Sequence, residues 1–130
     1  LRVLTGEGYY VDRDGRVMPL SSKFTSRVVV ATGDINKKFA CEKLGPFAMK
    51  LKNEPFWDAY IEQLVVRSNE DVVMIPKVGD FRIVLGKVDD CDARLEKLIL
   101  FLKDGITKKG WNRYKEINLK FDNQVVCVRK

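Results

Sequence analysis

Nucleophilic catalysis needs a base beside its serine or cysteine, and this chain has no histidine to serve as one. Ser-His and Cys-His arrangements are therefore excluded. Cys41, Cys91 and Cys127 stand far apart in sequence. None lies within metal-ligand spacing of another, so zinc-finger patterns are absent. An odd, sparse count does not describe a disulfide scaffold. Three small buried hydrophobes is the plain reading, and one disulfide plus a free thiol is the alternative. Thr5-Gly6-Glu7-Gly8 lacks the third glycine of a phosphate loop and leads into a strand rather than a helix. Asp12-Arg13-Asp14-Gly15 lacks the third ligand position and the closing Glu of a calcium loop. The cluster Asp89, Asp90 and Asp92 would suit a hard cation, but acids at a helix start are explained more simply by capping and the helix dipole. No pair of carboxylates stands out for acid–base work. The expectation is a protein that is not an enzyme and holds no cofactor or metal.

Charge suggests one further class. The chain carries 24 basic and 18 acidic residues, a net +6, which invites a basic nucleic-acid-binding module as the alternative function. The basic residues, however, are spread along the chain and interleaved with acids. Their densest runs are only Lys37-Lys38 and Lys108-Lys109. Stacking on nucleic acid needs aromatics beside basic residues, whereas most aromatics here occupy apolar periodic positions. A solvated basic surface is the simpler reading.

The elements around these residues fit a single domain of 130 residues, long enough to bury a core without staples. No apolar run is long enough to cross a bilayer. The opening Leu1-Arg2-Val3-Leu4 reads as a strand entered mid-element, so the chain is expected to be a fragment of a longer protein. Residues 8–20 read as a hairpin, with Asp14-Gly15 as a two-residue turn and Pro19 confining the second strand to an edge. A polar connection follows at 21–26. Val28-Val29-Val30 marks a strand over 27–32, closed by Gly33-Asp34. Asp34 or Asn36 caps a helix over 37–52, with a break expected at Gly45-Pro46. Pro55 opens a short helix. Strands at 60–68, 72–76 and 81–85 form an antiparallel meander. A helix over 92–103 carries the stripe Leu95, Leu98, Ile99 and Leu102, ended by Gly105.

The chain closes on a last hairpin, residues 117–130. With Asp122-Asn123 as a two-residue turn, Leu119 faces Val126 and Ile117 faces Val128. The apolar residues of both strands then share one face, with Val125 and Cys127 on the other. Residues 124–128 contain no Pro, Gly or charge to block pairing, so this terminal strand is a candidate docking rail for another strand. The predicted fold class is α+β, a mostly antiparallel sheet of meander and hairpins with helices packed on one face.

The order of these motifs resembles a known family. Tyr10-Val11-Asp12-Arg13-Asp14-Gly15-Arg16-Val17 is similar to the hairpin that opens the β domain of the bacterial cell-division protein family FtsQ, called DivIB in some groups. Val28-Val29-Val30-Ala31-Thr32-Gly33 resembles the family's next strand, and Phe81-Arg82-Ile83-Val84-Leu85-Gly86-Lys87 its strand before the long helix. Lys97-Leu98 matches a pairing in that helix. Ile117-Asn118-Leu119-Lys120-Phe121 resembles the closing Val-Asp-Leu-Arg-Tyr strand. Gly110-Trp111-Asn112-Arg113-Tyr114 and Asn123-Gln124-Val125-Val126-Cys127 look most like the Bacteroidetes branch.

The resemblance implies residues 1–7 as the end of a POTRA domain and its junction, and 8–130 as the β domain. The transmembrane helix and most of the POTRA domain would lie outside this sequence. It implies a divisome scaffold on the periplasmic side of the inner membrane, at the division site, supporting septum formation. Its partners would be FtsB/DivIC-like and FtsL-like proteins, with no nucleic acid and no small-molecule substrate. Strand addition to the last strand places Phe121, Asn123, Gln124, Val125, Val126, Cys127 and Val128 in the partner-binding site. Two positions depart from the family. Phe121 lacks the tyrosine hydroxyl, and Asn118 replaces the usual Asp.

Overall fold

The structure is a computed structural model, and it describes residues 1–4, 8–11, 15–19, 29–77, 81–89, 91–102, 114–120 and 125–129. Among the described residues, nine strands form one sheet: β1 (Arg2–Val3), β2 (Tyr9–Val11), β3 (Val17–Pro19), β4 (Val30–Gly33), β5 (Ile61–Val66), β6 (Val72–Pro76), β7 (Arg82–Gly86), β8 (Tyr114–Asn118) and β9 (Val126–Arg129). Their spatial order is β3-β2-β1-β4-β5-β6-β7-β8-β9. The expected meander is there, with β5, β6 and β7 running antiparallel. Three pairings are parallel: β1 with β4, β4 with β5, and β7 with β8. Each parallel pair needs a long crossover. Helical segments over 37–60 supply the one from β4 to β5, and α4 (Asp92–Phe101) supplies the one from β7 to β8. The class is α+β, as the periodicities predict.

Period-two alternation selects one face of the sheet for the core. Ala31, Leu64, Met74, Ile83 and Ile117 are fully buried there. The helices cover that face with Phe39, Leu44, Phe47, Leu51 and Trp57, and with Leu95, Leu98 and Leu102 of α4. Val3 of β1 is buried in the same cluster, and β1 pairs on both of its sides.

The first helical stretch corrects one expectation. Asn36 is its cap, accepting the Phe39 N–H at 2.7 Å. Gly45-Pro46 does not break the helix in two. Instead α1 (Lys37–Phe39) passes into a π-helical turn (Ala40–Leu44) and on into α2 (Gly45–Asn53), with the Gly45 N–H bonded to the Ala40 carbonyl. Pro46 offers no N–H, and its ring would strike the carbonyl four residues back in a regular helix. The wider turn just before it relieves that conflict. Gly45 also leaves room for Val11, whose Cγ1 lies 3.0 Å from where a Cβ would stand. Next, α3 (Pro55–Tyr60) starts on Pro55, with Glu54 as its cap.

Asp92 stands in the first turn of α4, as the dipole reading expects, but capping by the acids is corrected. Cys91 is the cap residue and makes no side-chain cap bond. Asp89 accepts from Lys43 at 2.9 Å and Asp92 from Lys50 at 2.6 Å. They tie the start of α4 to the preceding helical layer, and this raises the pKa of both lysines. All four groups are exposed, so each pair is worth little. Arg94 does more, donating to the carbonyls of Leu85, Lys87 and Asp89 and so fixing the turn between β7 and α4.

The opening hairpin pairs Val11 with Val17 and Tyr10 with Met18. That register leaves five residues between the strands, so it does not fit a two-residue turn at Asp14-Gly15. Part of that turn and the 21–26 connection lie outside the described residues, as do Gly105 and its neighbours. Pro19 does end an edge strand.

Two predictions test this architecture. Gly33 sits at φ 109°, and an added Cβ would stand 2.2 Å from the Val66 carbonyl oxygen. Gly33→Ala should therefore lower unfolding free energy by about 2–4 kcal/mol, read from urea titration; an unchanged midpoint would contradict the β4–β5 packing. Burial raises the pKa of Tyr60, Tyr9 and Cys91 above the ordinary 10.0 and 9.0. The unfolded chain then loses these protons first. Stability is complete below the unfolded pKa values and falls as pH rises past them. The urea midpoint should drop measurably between pH 8 and 10.5.

Candidate functional site

The two ends of the sheet differ in how open they are. β3 is a short edge ended by Pro19, which has no N–H to donate. β9 closes the other end and has a neighbouring strand, β8, on one side only among the described residues. Val126, Cys127 and Val128 carry no charge, proline or glycine that would discourage another strand. All three are half-buried.

The register of this hairpin differs from the sequence expectation by one residue. Ile117 pairs with Cys127, Asn118 with Val126, and Glu116 with Val128. Directly opposed residues share a face. Cys127 therefore lies on the helix-covered face with Ile117, and Val125 and Cys127 pack against the core. Val126 and Val128 lie on the helix-free face, beside Asn118 and Glu116. A shift of one residue exchanges every side chain between faces. Apolar alternation could not detect it, because residues 125–128 are apolar at both parities. Phe121, Asn123 and Gln124 lie outside the described residues, as does the Asp122-Asn123 turn.

The start of the connection between β8 and β9 is held. Leu119 is buried and its N–H bonds the Val84 carbonyl at 2.9 Å. The Asn118 side chain accepts the Lys120 N–H at 2.9 Å. Asn118 thus shapes the chain locally. Lys120 reaches across Gly86 to Asp71 at 2.8 Å. A Cβ on Gly86 would come within 3.0 Å of the Lys120 stem, so the glycine keeps that path open.

The helix-free face carries a feature that sequence reasoning missed. Val73 and Val84 oppose each other at its centre and are buried. The Arg67 guanidinium lies 3.9 Å from the Glu116 carboxylate. That pair spans from β5 to β8, over β6 and β7, and so bridges the face. Beside it a groove of about 590 Å³ is lined by Gln63, Val65, Ile75, Phe81, Arg82 and Lys115, with Arg67 and Glu116. Alternation puts Gln63, Val65, Ile75, Arg82 and Glu116 on this face, whereas Phe81 shares the parity of Ile83 and also belongs to the core cluster. Only the curl of the sheet brings Arg67 near Glu116, and periodicity carries no signal for it.

No cluster of three or more potential metal ligands occurs among the described residues, and no helix among them is long and apolar enough to cross a membrane. No disulfide joins Cys41, Cys91 or Cys127. Cys91 is buried, and desolvation raises its pKa. Cys41 and Cys127 are half-buried. A thiol reagent at neutral pH should therefore modify Cys41 and Cys127 in the native protein, and Cys91 only on unfolding. Peptide mapping after a timed pulse checks this; early labelling of Cys91 would contradict its placement.

The family-model comparison covers almost the whole chain. The model described as FtsQ/DivIB, C-terminal related, matches residues 1–128, and no curated protein matches significantly. The chain belongs to the FtsQ/DivIB C-terminal related family, which indicates a role in cell division and division proteins as partners.

Proposed function

From this family membership, we propose that the domain is a non-enzymatic scaffold of the bacterial division machinery that binds FtsB/DivIC-like and FtsL-like partners by strand addition to β9. The supporting observation is the open terminal strand. Among the described residues it has one neighbour, lacks the proline that blunts the opposite edge, and ends a sheet packed on the core. An incoming strand would bond along Val126 to Val128, with its alternate side chains meeting Val126 and Val128 on the helix-free face. Phe121, Asn123, Gln124, Val125 and Cys127 complete the proposed site, Phe121 without a hydroxyl to donate. Backbone bonding then carries more of the recognition than side chains do.

The same proposal places the domain on the periplasmic side of the inner membrane at the division site, in a membrane-anchored parent protein. It takes residues 1–7 as the junction from a POTRA domain and 8–130 as the β domain. β1 would be the strand by which that junction enters the sheet.

Proline substitution tests the rail directly. Successive N–H groups of a strand point to opposite sides, so of Val126→Pro and Cys127→Pro one removes an outward donor and the other a bond to β8. The variant that remains folded by circular dichroism should lose at least about tenfold in affinity for a purified FtsB-like extracytoplasmic segment, roughly 1.4 kcal/mol. Unchanged affinity in both folded variants would overturn strand addition.

A further inference from the structure

The hairpin of β8 and β9 holds two registers at once. Glu116, Ile117 and Asn118 oppose Val128, Cys127 and Val126, whereas Tyr114 opposes Arg129. The two sets are offset by one residue. Lys115 is the extra residue between them, a bulge in β8. Movement of that bulge toward the turn, past Asn118, would extend the register of the Tyr114–Arg129 pair along the hairpin. Glu116 would then oppose Cys127, Ile117 would oppose Val126, and Asn118 would oppose Val125.

Backbone bonding survives this change. The Leu119 N–H donates to the carbonyl of Val84, the residue that pairs in parallel with Asn118. Ile117 and Leu119 therefore turn their polar groups to β7, and Glu116 and Asn118 turn theirs to β9. The latter two bond Val128 and Val126 in the observed register, and would bond Cys127 and Val125 in the other. β8 keeps its place in both, its end held by the Leu119 bond and by the Asn118 side chain on the Lys120 N–H. Apolar burial survives as well. Residues 125–128 are all apolar and all half-buried. Val126 would replace Cys127 beside Ile117, while Val125 and Cys127 would move to the helix-free face. By contrast, a one-residue slip of β7 would draw the exposed Arg82 under the helices.

We propose that β9 exchanges between these two registers by migration of the bulge at Lys115, and that the strand-adding partner selects the observed one. Partner selection rests on the strand-addition reading; the exchange itself does not. In the observed register, the outward N–H and C=O at the centre of β9 are those of Cys127, with Val126 and Val128 on the helix-free face. In the second register both assignments reverse. Val126 and Val128 present their polar groups outward, and Cys127 lies on the helix-free face. A strand that fits one edge meets the wrong side chains on the other. The second register is a minor state, on the order of 0.1–10% of the free chain, and a partner with higher affinity for the first empties it.

Disulfide trapping reads the register. Directly opposed cysteines fall within bonding reach, while those of opposite parity point to opposite faces. On a Cys41→Ser background, Glu116→Cys bonds Cys127 only in the second register. Glu116→Cys/Val128→Cys with Cys127→Ser closes a bond only in the observed one. Oxidised glutathione is the oxidant: two protein thiols become one disulfide, and one glutathione disulfide becomes two thiols. Peptide mapping should find both bonds, the first forming at least about tenfold more slowly. Adding a purified FtsB-like extracytoplasmic segment should slow the first bond much more than the second. The form locked in the observed register should bind the segment with wild-type affinity, and the form locked in the second at least about tenfold more weakly. Circular dichroism of the reduced variants confirms that each is folded. If Glu116→Cys never bonds Cys127 while the other variant closes fully, β9 has one register and the proposal is overturned, with strand addition untouched. Equal affinity of the two locked forms overturns partner selection. If neither locked form nor the wild-type chain binds the segment, strand addition fails and partner selection with it, and trapping alone decides the exchange.

Discussion

Tyr9, Val3, Ala31, Leu64, Met74, Ile83, Ile117 and Cys127 follow one another across the sheet, each paired with the next from β2 to β9. The members from Val3 to Ile117 are fully buried beneath the helices. Burying one such side chain is worth about 1.5–3 kcal/mol, and this row alone runs through all but the β3 edge. It fixes the parity of the seven strands from β2 to β8 at once. A slip of one residue anywhere would bring a polar or outward-facing residue into the row. What is left for recognition follows from that choice: the opposite face, and the two ends where pairing stops.

Much of this order was legible in the sequence because local patterns agreed with the global one. The β-branched runs of β5 and β6, the spacing of Leu95, Leu98 and Leu102, and Asn36 as a cap each signal their element without tertiary help. The misreadings occur where local signals were silent or ambiguous. Residues 125–128 are apolar at both parities, so alternation fits two registers equally and only pairing to Ile117 decides between them. Gly45-Pro46 is a strong breaker by its chemistry, but a π turn absorbs a proline without ending the helix, and burial of Leu44 and Phe47 on either side favours continuity. Asp89 and Asp92 do cluster at the start of α4, but sequence alone could not show that they pair with lysines rather than cap the helix. Their lysine partners lie more than forty residues earlier in sequence.

The same limit explains why the candidate surface was only half visible. A terminal strand free of blocking residues is a property of sequence and can be read from it. A groove formed by β5, β6, β7 and β8 together depends on sheet order and curl. Arg67, Arg82, Lys115 and Glu116 are scattered among many similar charges until the sheet assembles them.

The corrected register joins these two surfaces physically. Had Val126 and Val128 faced the helices, the helix-free face would have ended on the other parity of β9. Cys127 and Val125 would then have been the residues beside the groove. With Val126 next to Asn118 and Val128 next to Glu116, the outward side chains of β9 continue the rows that carry Val84 and Arg82. A strand added to β9, as proposed, would extend those rows by one more position. Its side chains on that face would therefore point toward the same space that the cationic groove opens into. The open edge of β9 and the helix-free face are thus parts of one continuous surface.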